Sequence, residues 1–346
     1  MSRRGWDSVH GTAQSSYIAN LDGEWARDWL GGPGRRYTRR MPIAVIDIGT
    51  NTLLLLIVDD AMQPLVDLCR FGRLGKGLDA SGRLADDAIA VSLAICREYR
   101  KVMDDHGVAQ PVVIATQASR EASNAADFIA PAEAILGAPI QVIAGEREAE
   151  LAALAVARTF PELSGVRYLV VDVGGGSTEV ITVDAGQVTS RASLPIGAVR
   201  LTERHLRHDP PTAPEIVALS ADIERHLATL ELPRAIPVIG TAGTATTLAA
   251  IKLGLDHYDP ALVTGLRLSR DAVVMLLGRL LAAPVDERKA IPGIEPQRAD
   301  VIAAGAAIFA SILQWIDAPV LITCDRGIRW GLAYEAMSTG APPGGS

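Results

Sequence analysis

The sequence predicts an α/β protein built as two lobes of similar topology, each a sheet flanked by helices. Three observations predict it. The chain has 346 residues, and single hydrophobic cores stop growing at roughly 250–300 residues, so two cores are favoured over one. Apolar residues make up 49% of the chain and aromatics only 4%, so Ala, Leu, Val and Ile carry the packing, as suits layered sheets and helices. The third observation is an internal duplication. Laying Asp172 on Asp47, a shift of 125 residues, brings Val45 onto Val170, Gly49 onto Gly174, Thr52 onto Ser177 and Val58 onto Val183.

The elements follow in order. Ile43 to Asp47 is a short apolar run ending in a carboxylate and a glycine turn, and Leu53 to Val58 is a second run; together they read as a buried hairpin. Ala85 to Met103 has helical periodicity, with Leu93, Ile95 and Tyr99 among its apolar positions. Pro111 to Ala115 is a strand, Ser119-Arg120-Glu121 opens a helix, Pro139 to Ile143 is a strand, and Glu146 to Phe160 is an Ala-rich helix. The pattern then restarts with the strand Arg167 to Val173, a glycine cluster and the strand Thr178 to Val183. A proline-rich loop, His208 to Pro214, precedes the helix Glu215 to Leu230. Pro237 to Gly240 is a strand leading into a helix. Arg298 to Ile316 is a long apolar helix, Val320 to Thr323 a last strand and Gly327 to Met337 a last helix.

The expected partition places residues 41–149 and 328–338 in one lobe and 150–327 in the other. Residues 1–40 hold three of the five tryptophans and a run of arginines (Arg35, Arg36, Arg39, Arg40) but no apolar segment of the secretory kind. They are expected to be an extension without order of its own, or the product of a misassigned upstream start. The Gly/Pro-rich stretch 339–346 is expected to be a disordered tail.

Composition removes several function classes. The formal charge is −7, so no bulk basic field draws in DNA or RNA, and a polyanionic ligand would need a local basic site. Aromatic platforms for single-stranded nucleic acid are scarce. Cys69, Cys96 and Cys324 are scattered, which is neither a disulfide framework nor a zinc site and points to the reducing cytoplasm. No segment reads as membrane-spanning.

Three turns carry the chemistry: Asp47-Ile-Gly-Thr-Asn-Thr52, Asp172-Val-Gly-Gly-Gly-Ser-Thr-Glu179 and Gly240-Thr-Ala-Gly-Thr244. Glycine lets backbone approach a phosphate without a Cβ clash. Successive N–H groups then form an anion nest, to which the hydroxyls of Thr50, Thr52, Ser177, Thr178 and Thr244 add donors. The third turn opens a helix, whose free N–H groups favour an anion. Asp47, Asp172 and Glu179 would repel that anion unless a hard divalent cation such as Mg²⁺ lay between them. The alternative is that they are strand-end carboxylates satisfied by neighbouring N–H groups.

The segments IDIGTNT (46–52), RLGKGL (73–78), ATQASREASN (115–124), IAGEREAEL (143–151), VDVGGGSTE (171–179), LPIGAVRLTE (194–203), GTAGT (240–244), ERKAIPGIEPQRADVIAAGA (287–306) and DRGIRWG (325–331) stand in an order and spacing that resemble the Ppx/GppA phosphatases. The resemblance covers about residues 43–336. It implies a two-lobed actin-like ATPase (ribonuclease H-like) fold, in the short form without a further C-terminal domain. It implies an exopolyphosphatase that hydrolyses terminal phosphates from inorganic polyphosphate in a metal-assisted interlobe cleft, or alternatively a guanosine pentaphosphate (pppGpp) 5′-phosphohydrolase. A Mg²⁺ or similar cofactor and a homodimer are implied with it.

Residue by residue, the resemblance gives Glu148 as general base and Arg120 as the arginine facing the phosphate chain. Gly49, Thr50, Asn51 and Thr52 match the first phosphate loop. Gly174, Gly175, Gly176, Ser177 and Thr178 match the second, and Gly243 and Thr244 belong to the third. Asp172 and Glu179 match the metal-associated positions, with Asp47 beside them. A carboxylate such as Glu148 can orient a water in line with phosphorus and accept its proton. Four positions depart from the pattern: Arg147 precedes Glu148 where glutamate is expected, Glu150 stands where arginine is usual, Lys76 replaces an acid, and Trp330 replaces a glutamate.

Other features have competing meanings. His205 and His208, with Asp209, have helical spacing that suits a metal but read better as a solvated helix end. Arg70, Arg73 and Lys76, and likewise Arg200, Arg204 and Arg207, are either solvated faces or a basic track for a long polyphosphate. A kinase of the same fold and a non-catalytic nucleotide-binding regulator are the remaining functional alternatives.

Overall fold

The computed structural model describes residues 42–339, so residues 1–40 and most of the predicted tail lie outside the described residues. Strand β1 (Ile43–Ile48) and strand β2 (Leu53–Val58) form the predicted hairpin. Along β1 the side chains alternate between two cores: Ile46 and Ile48 enter one and Val45 another. Apolar groups therefore fill every position except Asp47, and the strand reads as an apolar run with a carboxylate near its end. Strands β3 (Pro64–Arg70), β4 (Val112–Ala115) and β5 (Ile140–Val142) complete a five-stranded sheet in the order β3-β2-β1-β4-β5. β1, β2 and β3 are antiparallel neighbours, and β4 and β5 run parallel to β1.

The second sheet holds β6 (Tyr168–Val173), β7 (Thr178–Asp184), β8 (Gln187–Leu194), β9 (Val238–Thr241), β10 (Arg267–Ser269) and β11 (Val320–Thr323), in the order β10-β11-β9-β6-β7-β8. Without the edge strand β10, it repeats the order and the mixed directions of the first sheet. The duplication reaches individual hydrogen bonds. Gly49 N–H donates to the Thr52 carbonyl at 2.9 Å, and Gly174 N–H to the Ser177 carbonyl at 3.0 Å. Both second strands carry a register irregularity at the same place, between Ile57 and Val58 in β2 and between Thr182 and Val183 in β7.

Three cores hold these layers. One packs the first sheet under helices Asp86–Asp105 and Ala126–Leu136, with Tyr99 and Phe128 at its centre. A second packs the second sheet under Ala213–Leu227, Ala242–Leu253, Arg270–Ala282 and Ile302–Trp315. The third joins the lobes. It gathers Val45 and Ile114 from the first sheet, Val170 and Ile239 from the second, and apolar faces of helices Gly145–Thr159 and Ile328–Thr339. Those two helices touch backbone to side: a Cβ on Gly331 would fall 2.1 Å from the Leu151 carbonyl oxygen.

Ion pairs seal one edge between the lobes. Arg73 bonds Asp300 at 2.7 Å and the Gln297 carbonyl at 2.6 Å. Glu203 accepts the Gly77 N–H at 2.9 Å. Arg204 bonds Asp79 at 3.0 Å, and Arg200 pairs with Glu121. The arginines read from sequence as a solvated face or a polyphosphate track are thus mostly committed to carboxylates of the other lobe. His205 bonds Asp222 at 2.7 Å and His208 bonds Glu215 at 2.9 Å. Among the described residues, no group of three or more His, Cys, Asp or Glu is gathered in a way that could hold a metal.

Candidate active site

The two duplicated bends meet. A Cβ on Gly175 would lie 3.0 Å from Cβ of Thr50, so the absence of a side chain there lets one bend rest on the other. Between them opens a cavity of about 770 Å³. It is lined by Gly49, Thr50, Asn51 and Thr52 of the first bend and by Gly174, Gly175, Gly176 and Ser177 of the second. Asp47, Glu148, Asp172, Glu179, Gly243 and Thr244 complete the predicted residues on its wall. Two expected contributors are not on that lining. Thr178 is fully buried and donates its hydroxyl to the Ile196 carbonyl at 2.6 Å, an internal role. Arg120 is held to Glu148 by a hydrogen bond instead.

The third turn enters the helix Ala242–Leu253 through Ala242, whose φ of 62° is in the left-handed region. A non-glycine residue there is strained and is retained where the surroundings demand the turn. Gly243 and Thr244 at this helix start line the cavity, so the free N–H end of a twelve-residue helix belongs to the wall.

Four carboxylates are buried in the wall: Asp47, Glu148, Asp172 and Glu179. Burial, then the charges of Glu148 and Asp172, push Asp47 up to about 7. Burial pushes Asp172 up to about 6, against a 2.7 Å hydrogen bond from Thr241 that lowers it. Glu179 is pushed well above the ordinary carboxylate range by burial and by Glu148 and Asp172, although Ser193 donates to it at 2.8 Å. One oxygen of Asp47, Oδ1, is buried with no hydrogen-bond partner. Hard oxygen donors, mutual repulsion and an orphaned carboxylate oxygen fit a hard divalent cation. Since no three such side chains converge, the protein would supply part of the coordination shell and water and phosphate oxygens the rest, as is usual for Mg²⁺.

Glu148 sits in the first turn of the Gly145–Thr159 helix, 4% exposed. Arg120 Nη1 donates to its Oε1 at 2.9 Å and to the Ile143 carbonyl at 2.5 Å. Burial raises Glu148 to about 7, while the Arg120 hydrogen bond and charge hold it down. A carboxylate poised near neutrality at a cavity wall suits a general base.

Several lining or supporting residues take roles that their motifs do not assign. Thr50 donates its hydroxyl to Gln117 Oε1 at 2.8 Å, so its oxygen offers lone pairs to the cavity rather than the expected donor. Arg298 lies over the Phe71 ring at 5.4 Å and against Gly243, where a Cβ would fall 1.8 Å from Nη1. Arg329 is held by Asp67 and Asp325, each at 3.1 Å, and its charge lowers Asp47 and Asp172. Only their tertiary neighbours reveal these roles.

The model of the Ppx/GppA phosphatase family matches residues 54–339. The chain belongs to the Ppx/GppA phosphatase family. Exopolyphosphatase 2 of Mycobacterium tuberculosis is 36% identical over 282 residues, covering 77% of this chain and 88% of that protein. The crystal structure of an exopolyphosphatase-like protein superposes with a TM-score of 0.82 at 32% identity, covering 87% of this chain and all of the other. An exopolyphosphatase from Cytophaga hutchinsonii gives a TM-score of 0.78 at 29% identity over 88% of this chain and 100% of its own.

None of the departures from the Ppx/GppA pattern lines the cavity. Arg147 bonds Glu150 at 3.2 Å and Glu335 on the last helix, so it ties two helices together instead of facing phosphate. Trp330 is buried in the shared core, with the Arg326 guanidinium 4.2 Å from its ring centre. Among the described residues no helix is long and apolar enough to cross a membrane.

Proposed function

We propose that this protein is an exopolyphosphatase that releases terminal phosphates from inorganic polyphosphate in the cavity between its two bends. The observation that carries the proposal is Glu148: a buried carboxylate near neutrality, held by Arg120, on the wall of a cavity whose other walls are two glycine bends and a helix N-terminus. Backbone N–H groups of both bends and of the Ala242–Leu253 helix would receive the terminal phosphates, with Arg298 adding an uncommitted guanidinium. Glu148 orients a water and takes its proton. The water oxygen bonds to the terminal phosphorus, the bridging P–O bond breaks, and orthophosphate leaves a chain shorter by one unit. Asp47, Asp172 and Glu179 would hold the divalent cation, which supplies charge neutralisation on the phosphate oxygens when bound.

A second substrate reading rests on a different part of the wall. The cavity is also lined by Phe71, Leu255, Tyr258 and Ile294, apolar surface that a phosphate chain does not need and a nucleobase does. It favours pppGpp as an alternative, hydrolysed by the same residues. Mg²⁺ as the cation, a homodimeric assembly and a cytoplasmic setting complete the proposal.

Phosphate release from polyphosphates and from pppGpp, with Mg²⁺, tests both. Glu148→Gln should lower kcat by about 100- to 10,000-fold, the usual contribution of a general base. Full activity in that variant would remove Glu148 from the mechanism, and turnover of pppGpp alone would select the second substrate.

A further inference from the structure

Gln117 lies in the ATQASREASN segment, yet neither that motif nor the mechanism assigns it a role. It opens the short helix Gln117–Glu121 and is 2% exposed. Its Oε1 accepts the Thr50 hydroxyl at 2.8 Å, which ties it to the first bend. It also rests against the second bend: a Cβ on Gly176 would fall 1.7 Å from that same Oε1 and 2.4 Å from Cδ. Its Nε2 is buried and has no hydrogen-bond partner. One turn further on, the same helix carries Arg120, which holds Glu148 at 2.9 Å and the Ile143 carbonyl at 2.5 Å. One short element therefore touches both phosphate bends and the general base.

A buried amide with an unsatisfied donor is costly and stays only where something else fixes it. Here the Thr50 hydroxyl and the backbone at Gly176 do so. We propose that Gln117 is a positioning residue that sets the separation of the two phosphate bends and, through its own helical turn, the placement of Arg120 against Glu148. It is absent from the cavity lining. Its effect comes through spacing, and a misplacement of about 1 Å in a reacting constellation costs about 100-fold in rate. The inference rests on the hydrolase reading of the same cavity.

Gly176 provides the means of testing it. Its φ is not in the left-handed region, so an alanine there is not strained by the backbone itself, and the added methyl acts by displacing the Gln117 amide. Gly176→Ala should therefore reproduce Gln117→Leu. In phosphate-release assays both should lower kcat by about 10- to 100-fold and displace the acidic limb of the pH profile assigned to Glu148, with unchanged circular dichroism. Gln117→Ala removes the obstacle, so the double variant Gln117→Ala/Gly176→Ala should be no worse than Gln117→Ala alone.

The same cycle is run by calorimetric titration of tripolyphosphate with Mg²⁺ in the Glu148→Gln background, where turnover plays no part. If Gly176→Ala costs the same factor with and without Gln117, or if Gln117→Leu keeps both kcat and the pH limb, the proposal is overturned. A wild-type protein that releases no phosphate would instead sink the hydrolase reading, and the calorimetric cycle would still decide Gln117.

Discussion

Removing the charge of Arg120 without removing its polarity separates two roles that the sequence runs together. The family pattern implies that this arginine faces the phosphate chain. In the structure it is absent from the cavity lining and donates to Glu148 at 2.9 Å. Glu148 stands at about 7 as the balance of burial raising it and Arg120 lowering it. A neighbouring opposite charge typically lowers a carboxylate by roughly one to three pH units, so Arg120→Gln should move the Glu148 titration upward by that amount. At pH 7.5 a base with a midpoint of about 7 is about three-quarters ionised. A rise of one unit leaves about one-quarter, a rise of two about 3% and a rise of three about 0.3%, a loss of about 3-fold to 240-fold in active base. The sign follows from the base needing to be ionised: activity falls on the acidic side and returns at high pH. Initial rates of phosphate release, fitted as kcat/KM from pH 5.5 to 9.5 at constant ionic strength and saturating Mg²⁺, give the acidic limb directly. The expected result is a limb displaced to higher pH with a nearly intact plateau. A pH-independent loss carried by KM, with the limb unmoved, would refute this account and return Arg120 to the phosphate chain.

Asp47→Asn should stabilise the cation-free protein at pH 8 and leave it unchanged near pH 4. The folded-state value is raised from 3.8 to about 7, so the group's contribution is intact below its unfolded value and is lost as pH rises through 7. The full rise corresponds to about 4 kcal/mol as an upper limit. Urea denaturation in a chelator at both pH values checks it, and equal stabilities at pH 8 would contradict it. Chelation should abolish phosphate release, with Mg²⁺ restoring it in the wild type but far less in Asp172→Asn; restoration in both would free Asp172 of any part in holding the ion. Asp79→Ala breaks the Arg204 pair between the lobes at 3.0 Å. A partly exposed pair is worth about 0.2–1 kcal/mol, so KM should rise at most about 5-fold at low salt and converge with wild type at 1 M salt. Arg298→Ala should raise KM for polyphosphate with kcat largely kept, and an unchanged KM would exclude it from binding.

Much of this architecture is legible in the sequence because apolar strands that are buried on both faces announce themselves. The hairpins and their bends stand where the 125-residue shift places them, down to the paired Gly49–Thr52 and Gly174–Ser177 hydrogen bonds. The strands that sequence reasoning passes over, β3, β8 and β10, lie at sheet edges. Their side chains are largely exposed, as in Gln187 to Arg191 of β8, so they show no apolar run to detect. The helix expected from Arg298 instead begins at Ile302, after a single 3₁₀ turn at Pro296–Arg298. Of the site, the glycine and hydroxyl turns and the carboxylates could be read because their chemistry is local. Gln117, Arg298 and Arg329 could not, since each draws its role from residues far off in the chain. The same holds for Arg73, Arg200 and Arg204, which reach carboxylates of the other lobe.

Charge decides how such a cavity can work. Eight carboxylates and three arginines line it. Arg70 is already paired with Glu98, and Arg329 with Asp67 and Asp325. Arg298 alone remains among the lining cations to meet a polyanion. Protons offer one way to reduce the repulsion, because Asp47 titrates near 7 and Glu179 above the ordinary range. Glu148, however, titrates at about the same pH for the same reason, burial among like charges. On the proposed mechanism, any pH low enough to neutralise Asp47 would also protonate Glu148 and stop water activation. A divalent cation would escape this conflict: bound to the ionised carboxylates, it would lower their cost above pH 7 and leave Glu148 ionised. On the proposed mechanism the requirement for the cation and the acidic limb of activity therefore have one origin, the desolvation of four carboxylates beneath two phosphate bends.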